Sequence, residues 1–339
     1  MKPLISIVIP TLNAQSSLET CLKSIEKQSL SMKFYEIIIA DGGSTDQTIE
    51  IAQKYKCKIL KNPLKTGEAG KAIGVKKAVG KYIVLIDSDN ILPDPKWLET
   101  MISPLTTDNS LIGSEPWKFT YRKEAGFIER YSALIGANDP YAYVSGIYDR
   151  QNFINFKWTN LTINQSDKNR YIKIELKPNS PIPTLGANGT VFLSSFIKKF
   201  SQSDYLFDID IISRAIHKTN APVYFAKVKI GIIHTFCESS IKKFIRKQNR
   251  RITDYYYYQN LRQYNWDQTN KLGTIKFAAY TLLFFPSLFD SLKGYIHKPD
   301  IAWFFHPLAC FITLYLYTTN TVKNKLGLLK QLDRLQWQQ

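Results

Sequence analysis

Short apolar runs alternate with amphipathic stretches from Leu4 to Thr100. "LISIVIP", "YEIIIA", "CKIL" and "KYIVLI" each read as a buried strand: short, largely β-branched and bounded by turn residues. Between them the period lengthens. "SSLETCLKSIEKQ" puts Leu18, Cys21, Leu22 and Ile25 on one helical face, and "EAGKAIGVKKAV" predicts another helix. In "DGGSTDQTIEIAQKY" a turn leads into a helix, with Asp46 expected as N-cap and Ile49, Ala52 and Tyr55 facing inward. Asp94-Pro95 is expected to start a further helix, "PKWLETMISPL", with proline at its first position. Apolar strands separated by amphipathic helices predict an α/β fold, a parallel sheet covered on both faces.

Residues 114–180 lose this rhythm and are rich in aromatics, among them Trp117, Tyr121, Tyr131, Tyr141, Tyr143, Tyr148 and Trp158. It returns at "LGANGTVFLSSFIKKF", "YLFDIDIISRAI" and "PVYFAKVKIGIIH". Beyond His234 the composition shifts again, to a basic run "IKKFIRKQNRR" at 241–251 and then two apolar stretches. From Ile301 to Val322 there is no Asp, Glu, Lys or Arg, a length just sufficient to span a bilayer. The earlier stretch, "FAAYTLLFFPSLF", is shorter and lies between Lys276 and Asp290. Each has a central proline, Pro286 or Pro307, and His306 sits in the second. Basic clusters precede both and follow them at Lys323, Lys325 and Lys330, which fits both outer ends being cytoplasmic. A spanning hairpin, a re-entrant pair, two interfacial helices and two buried helices of a soluble domain all stay open. The expected division is an α/β domain at 1–240, with halves at about 1–113 and 114–240, and a helical tail at 241–339.

Charge narrows the partners. Lys+Arg 45 against Asp+Glu 28 gives a formal net charge of +17, which favours nucleotides, other polyanions or an anionic membrane surface. Cys21, Cys57, Cys237 and Cys310 are scattered without a CxxC pair, which suits a reducing cytoplasm better than a disulfide framework or zinc site. No signal peptide is expected, because the run after Lys2 is short and leads into polar "TLNAQSS". The sequons at Asn160, Asn164 and Asn188 are read as chance.

Ligands of doubly wound sheets bind beyond the carboxyl ends of the strands. Asp41 falls there after the second strand, and Asp87 and Asp89 after the fourth. Carboxylates this close repel unless a cation sits between them. A hard divalent ion held by one or two carboxylates plus substrate phosphates answers that requirement. Aspartates that simply end a strand in solvent are the plainer reading of so short a motif.

"SIVIPTLN", "IIIADGGSTDQT" and "GVKKAVGKYIVLIDSD", in that order, resemble the family-2 glycosyltransferases of the GT-A fold, closely over about 4–100 and loosely to about 255. The resemblance implies a Rossmann-like doubly wound mixed sheet with a C-terminal helical, membrane-associated segment. It implies that Pro10, Thr11, Asn13 and Asp41 hold the nucleoside, and that Asp87, Ser88 and Asp89 bind the sugar nucleotide and a divalent metal, Mg or Mn. Two departures stand out. Gly42-Gly43-Ser44 follows Asp41 where the family commonly continues Asp-Gly-Ser, and Lys71 replaces an arginine, losing its bidentate fork. The family's acidic pair followed by arginine matches "LFDIDIISR" through Asp208 and Arg214. Asp208 is then the expected general base, with Asp210 its competitor; both could instead cap a helix starting near Ile211. His234 corresponds to a histidine that completes the metal or diphosphate site, and Gln248 and Arg251 to a diphosphate or acceptor motif with Ile252 in place of tryptophan.

"GEAGKA" lacks P-loop spacing, and no GxGxxG follows a strand. A haloacid-dehalogenase-type phosphatase shares only an Asp-x-Asp, and carries it near the chain start. The expectation is an inverting, metal-dependent hexosyltransferase on the cytoplasmic face of the cell membrane, peripheral or with a short hairpin in the bilayer, serving cell envelope polysaccharide synthesis. Its partners are a nucleotide-diphosphate sugar and a lipid-linked glycan or polyprenyl phosphate acceptor, not nucleic acid; the aromatics at 117–158 could equally stack on a soluble glycan. A non-catalytic membrane-bound scaffold keeping the fold is the rival from another class.

Overall fold

The computed structural model describes residues 2–186, 188–201, 203–262, 264 and 271–330; the end of the expected tail domain, 331–339, lies outside the described residues. The described chain forms two compact units, one made of the chain up to Trp117 with Thr162–His234, the other of Lys118–Leu161 and the described residues from Thr235 to Lys330. The expected second half of the catalytic domain, 114–240, is thus shared between the two.

In the first unit β1 (Ile5–Thr11), β2 (Tyr35–Asp41), β3 (Lys58–Lys61) and β4 (Tyr82–Leu85) pair in parallel. Every residue of β1 and β4 is buried, as covering on both faces requires. The sheet then turns mixed. β9 (Thr190–Leu193) runs antiparallel to both β4 and β6 (Leu111–Phe119), followed in the sheet by β10 (Val223–His234), β8 (Tyr171–Leu176) and β7 (Asn164–Asp167). The parallel part coincides with the part where each strand is followed by a crossover helix, the connection that parallel pairing needs.

Helix α1 (Gln15–Glu26) buries Leu18, Cys21, Leu22 and Ile25, the face its spacing predicts. Two expected helix starts shift. Helix α2 (Thr48–Lys54) has Gln47, not Asp46, at its N-cap. Asp46 instead accepts from the Thr48 N–H at 3.0 Å and, with its other oxygen, from the Gln15 N–H at 3.1 Å, so it ties two helix starts together. Helix α4 (Trp97–Thr107) begins after Pro95, because Asp94 takes the Lys96 N–H at 2.7 Å and forms a turn first. Helix α3 (Gly67–Lys77) lies flush on β1: a Cβ at Gly74 would come within 2.2 Å of Val8, and one at Gly70 within 2.8 Å of Pro10. That approach carries Lys71 to the strand ends.

The second unit is helical. Helices α5 (Phe127–Ile135), α6 (Pro140–Ser145) and α9 (Ile241–Tyr257) share its core with two tail helices, Lys271–Leu282 and His306–Lys325, while a third, Phe285–His297, buries only Ser287, Ser291 and Gly294. The aromatics proposed to stack on glycan are largely core instead: Tyr131, Tyr143, Tyr148 and Trp158 are all buried. Tyr131 and Tyr280 hydroxyls contact the two ring nitrogens of buried His306 at 2.7 and 3.0 Å. The first apolar stretch is bent by 85° between two helices, with Phe284 at φ +62°. Pro286 and Pro307 both fall in first turns, where a missing N–H costs nothing. Ile301–Lys325 is the one segment among the described residues long and apolar enough to cross a membrane.

Candidate active site

Beyond β4 the chain makes a turn through Asp87, Ser88 and Asp89 into β5 (Asn90–Ile91), which pairs antiparallel with the end of β10. In that register Asn90 faces His234, and His234 Nε2 comes within 3.3 Å of Asp89 Oδ1. Asn90 is fully buried. It accepts the Asp87 N–H at 2.9 Å and donates to Asn188 Oδ1 at 3.0 Å, which fixes the turn. Sequence reasoning passed over Asn90; its signal was an amide directly after the Asp-x-Asp. Ser88 is half-buried between the two acids.

The two aspartates look to different cations. Lys71 Nζ lies 3.6 Å from Asp87 Oδ1 and 3.7 Å from Asp208 Oδ2, while Asp89 turns to His234. Burial by itself would lower the Lys71 pKa, but Asp208, Asp87 and Glu68 outweigh it and hold the ammonium above its ordinary value. Lys71 is therefore a fixed positive charge at the site.

Helix α8 (Asp208–Thr219) begins at Asp208, earlier than the expected start near Ile211. Its N-cap is Phe207, so neither aspartate is the capping residue. Helical geometry turns residues two apart roughly 200° away from each other. Asp208 consequently meets Lys71, and Asp210 is buried on another side. The Leu206 N–H bonds the Glu68 carbonyl at 3.0 Å, pinning the entry to α8 against the start of α3. Arg214 donates to the Phe200 carbonyl at 2.9 Å. Asp208 Oδ1 is buried and, among the described residues, has no hydrogen-bond partner. Its carboxyl pKa is pushed up to about 6, chiefly by burial; Lys71 pulls it down, and Asp87, Glu68 and Glu115 add to the rise.

The loops after β1 and β2 form a third group. Asp41 is buried, and both its oxygens are engaged. Oδ1 accepts from the Thr11 and Ser44 hydroxyls at 2.8 and 2.6 Å, Oδ2 from the Gly43 and Ser44 N–H groups at 2.8 Å each. Asn13, at φ +50°, takes the Thr45 N–H at 2.9 Å, while its own amide nitrogen is buried without a partner among the described residues. Pro10 packs beneath Gly70.

Asp89 and His234 offer an oxygen and a nitrogen side by side, a mixed donor set that a transition-series ion such as Mn²⁺ accepts more readily than Mg²⁺, which prefers oxygen. Among the described residues no group of three His, Cys, Asp or Glu is close enough to hold an ion alone. The pair therefore fits an ion whose shell is completed by substrate phosphates. Gln248 and Arg251 belong to the second unit. Gln248 donates to the Asn138 carbonyl at 2.8 Å, and Arg251 bonds Gln248 Oε1 at 2.7 Å and Asp139 at 3.3 Å.

A sequence profile described as glycosyl transferase family 2 matches residues 6–187, more than half of the 339 residues. The glycosyltransferase AglE of Haloferax volcanii is 27% identical over 139 residues, covering 39% of this chain and 45% of its own. The poly(ribitol-phosphate) beta-N-acetylglucosaminyltransferase TarS of Staphylococcus aureus is 32% identical over 93 residues, 26% of this chain and 16% of its own. The chain thus spans less than half the length of these curated relatives. Among solved structures, the mannosyltransferase PcManGT of Pyrobaculum calidifontis, in complex with GDP-Man and Mn²⁺, aligns at 11% identity over 96% of this chain and 88% of that one, with a TM-score of 0.52. That likeness is one of fold, the mixed α/β sheet of GT-A type.

Proposed function

This chain belongs to glycosyl transferase family 2, and on that premise we propose that it transfers a sugar from a nucleotide-diphosphate donor to an acceptor hydroxyl with inversion, Asp208 serving as general base. The observation that carries this reading is the buried, unpartnered Oδ1 of Asp208 beside the Lys71 ammonium at the sheet's carboxyl edge. An acceptor hydroxyl donates to this carboxylate, whose side chain keeps 16% exposure, and gives up its proton to it as the hydroxyl oxygen attacks the anomeric carbon. The new glycosidic bond forms on the face opposite the breaking bond to the diphosphate, so a single displacement inverts the centre. A carboxyl with a pKa of about 6 is ionised at neutral pH yet basic enough to take the proton. Burial, which raises that value, also excludes competing water from Oδ1.

Pro10, Thr11, Asn13 and Asp41 form the nucleoside side of the donor site, with Asp41 shaping the loop and the Asn13 amide free to donate. Asp87, Ser88 and Asp89 face the diphosphate, and Lys71 offsets its charge. Asp89 and His234, with Asp87 alongside, are the residues that would hold a divalent cation, which when bound supplies positive charge to the departing diphosphate. The acceptor we propose is a lipid-linked glycan or polyprenyl phosphate at the cytoplasmic face of a membrane. Exposed Leu272, Leu282, Phe285, Phe289, Ile296 and Ile301 on the tail support that attachment.

Asp208→Asn keeps size and removes the proton acceptor, so it should cut single-turnover transfer by roughly 10²- to 10⁴-fold and leave donor affinity nearly unchanged. An active Asp208→Asn beside a dead Asp210→Asn moves the assignment to Asp210. For the tail, Phe285→Glu with Phe289→Glu should abolish flotation with anionic vesicles. Detergent-free, monodisperse wild-type protein that never floats ends the membrane reading.

A further inference from the structure

Glu115 stands in β6 with no solvent exposure, and Lys227 of β10 is equally buried against it. Lys227 Nζ donates to Glu115 Oε2 at 2.8 Å. As a stabilising device such a pair is poor, because desolvating both charges offsets most of the attraction. Its geometry suggests another role. The second oxygen, Oε1, accepts the Gly186 N–H at 2.8 Å and the Thr190 hydroxyl at 3.3 Å.

Gly186 has φ +133°, and a Cβ there would lie 2.1 Å from the Asp208 Cβ and 2.6 Å from its Cγ. The backbone at Gly186 is therefore a wall against which the Asp208 side chain rests, with Lys71 on Oδ2 at 3.7 Å. A chain of contacts runs from Lys227 through Glu115 to the Gly186 amide and on to Asp208. We infer that Glu115, held by Lys227, is a positioning residue: it fixes the Gly186 backbone and through it the place of the Asp208 carboxylate. The inference rests on Asp208 being the base, and nothing in it requires Glu115 to touch substrate.

Removing one partner alone would strand a buried charge, so the test uses neutral pairs. Glu115→Gln with Lys227→Met retains an oxygen for the Gly186 N–H; Glu115→Leu with Lys227→Met does not. Both are checked for cooperative melting. Turnover is then measured by nucleotide release from whichever UDP- or GDP-sugar the wild type uses in a screen. The glutamine pair should keep kcat near wild type, while the leucine pair loses roughly 10- to 100-fold in kcat with the donor KM unchanged, since a misplaced base slows chemistry without weakening binding. Should the leucine pair not fold, Glu115→Asp keeps the charge for Lys227 and withdraws the oxygen from Gly186 by one methylene, and the same loss is expected. Equal kcat in the folded glutamine variant and in the folded leucine or aspartate variant overturns the positioning role. An active Asp208→Asn overturns the base assignment instead, so the two failures are told apart.

Discussion

Two carboxylates at the carboxyl edge of one sheet have opposite fates. Asp41, after β2, accepts four hydrogen bonds from Thr11, Gly43 and Ser44, which leaves its oxygens saturated. Asp208, at the start of α8, keeps one buried oxygen without a partner among the described residues and meets the Lys71 ammonium at 3.7 Å. An ionised carboxylate has about four lone-pair sites, and a protein can fill them or leave them poised. Filled, the group builds a loop. Left unfilled beside a fixed cation, it has a raised pKa because nothing replaces the lost water.

The strongest way to break this contrast is to remove the cation from the open site. Lys71→Met should lower transfer by roughly 10²-fold through lost charge at the diphosphate. It should also move the pH profile in a set direction. On the assignment of Asp208 as base, wild-type kcat/KM should fall as pH drops below about 6, because the protonated acid cannot accept a proton. Lys71 lowers that pKa, so its removal should shift the acid limb to higher pH. A limb that stays in place or moves down means another group titrates.

A chelator acts on the open cluster alone. Affinity for whichever of UDP or GDP binds the wild-type protein, measured by calorimetry, should weaken about tenfold or more without divalent metal, and Asp89→Ala and His234→Ala should reproduce the loss. Equal affinity with and without metal removes the ion from the reading. The smallest effect belongs to the closed loop. Asp41→Asn aims an amide N–H₂ at donors that need an acceptor, and should cost about 1–3 kcal/mol in denaturant unfolding. Asp208→Asn should cost little or nothing, since its Oδ1 has no bond to lose. If both variants unfold alike, the distinction between filled and open carboxylates fails.

Much of the first unit was legible in sequence. The strand–helix rhythm up to Thr107, the apolar face of α1 and the placing of Asp41, Asp87 and Asp89 just past strands all follow from patterns within a short window. Helix starts were less legible, because an Asp can cap a helix or make the turn before it; Asp46 and Asp94 do the latter. The aromatics at 131–158 carried no period that separates a core from a glycan platform.

The chain by itself determined the α/β class, the family and the edge of the sheet where chemistry belongs, since periodicity and local spacing encode them directly. Tertiary structure alone decided which residues meet there. The β5–β10 register brings His234 to Asp89, the onset of α8 separates Asp208 from Asp210, and burial of Glu115 against Lys227 sets Gly186 beneath Asp208. Each depends on pairing between segments far apart in sequence, where a shift of one residue sends every side chain to the opposite face.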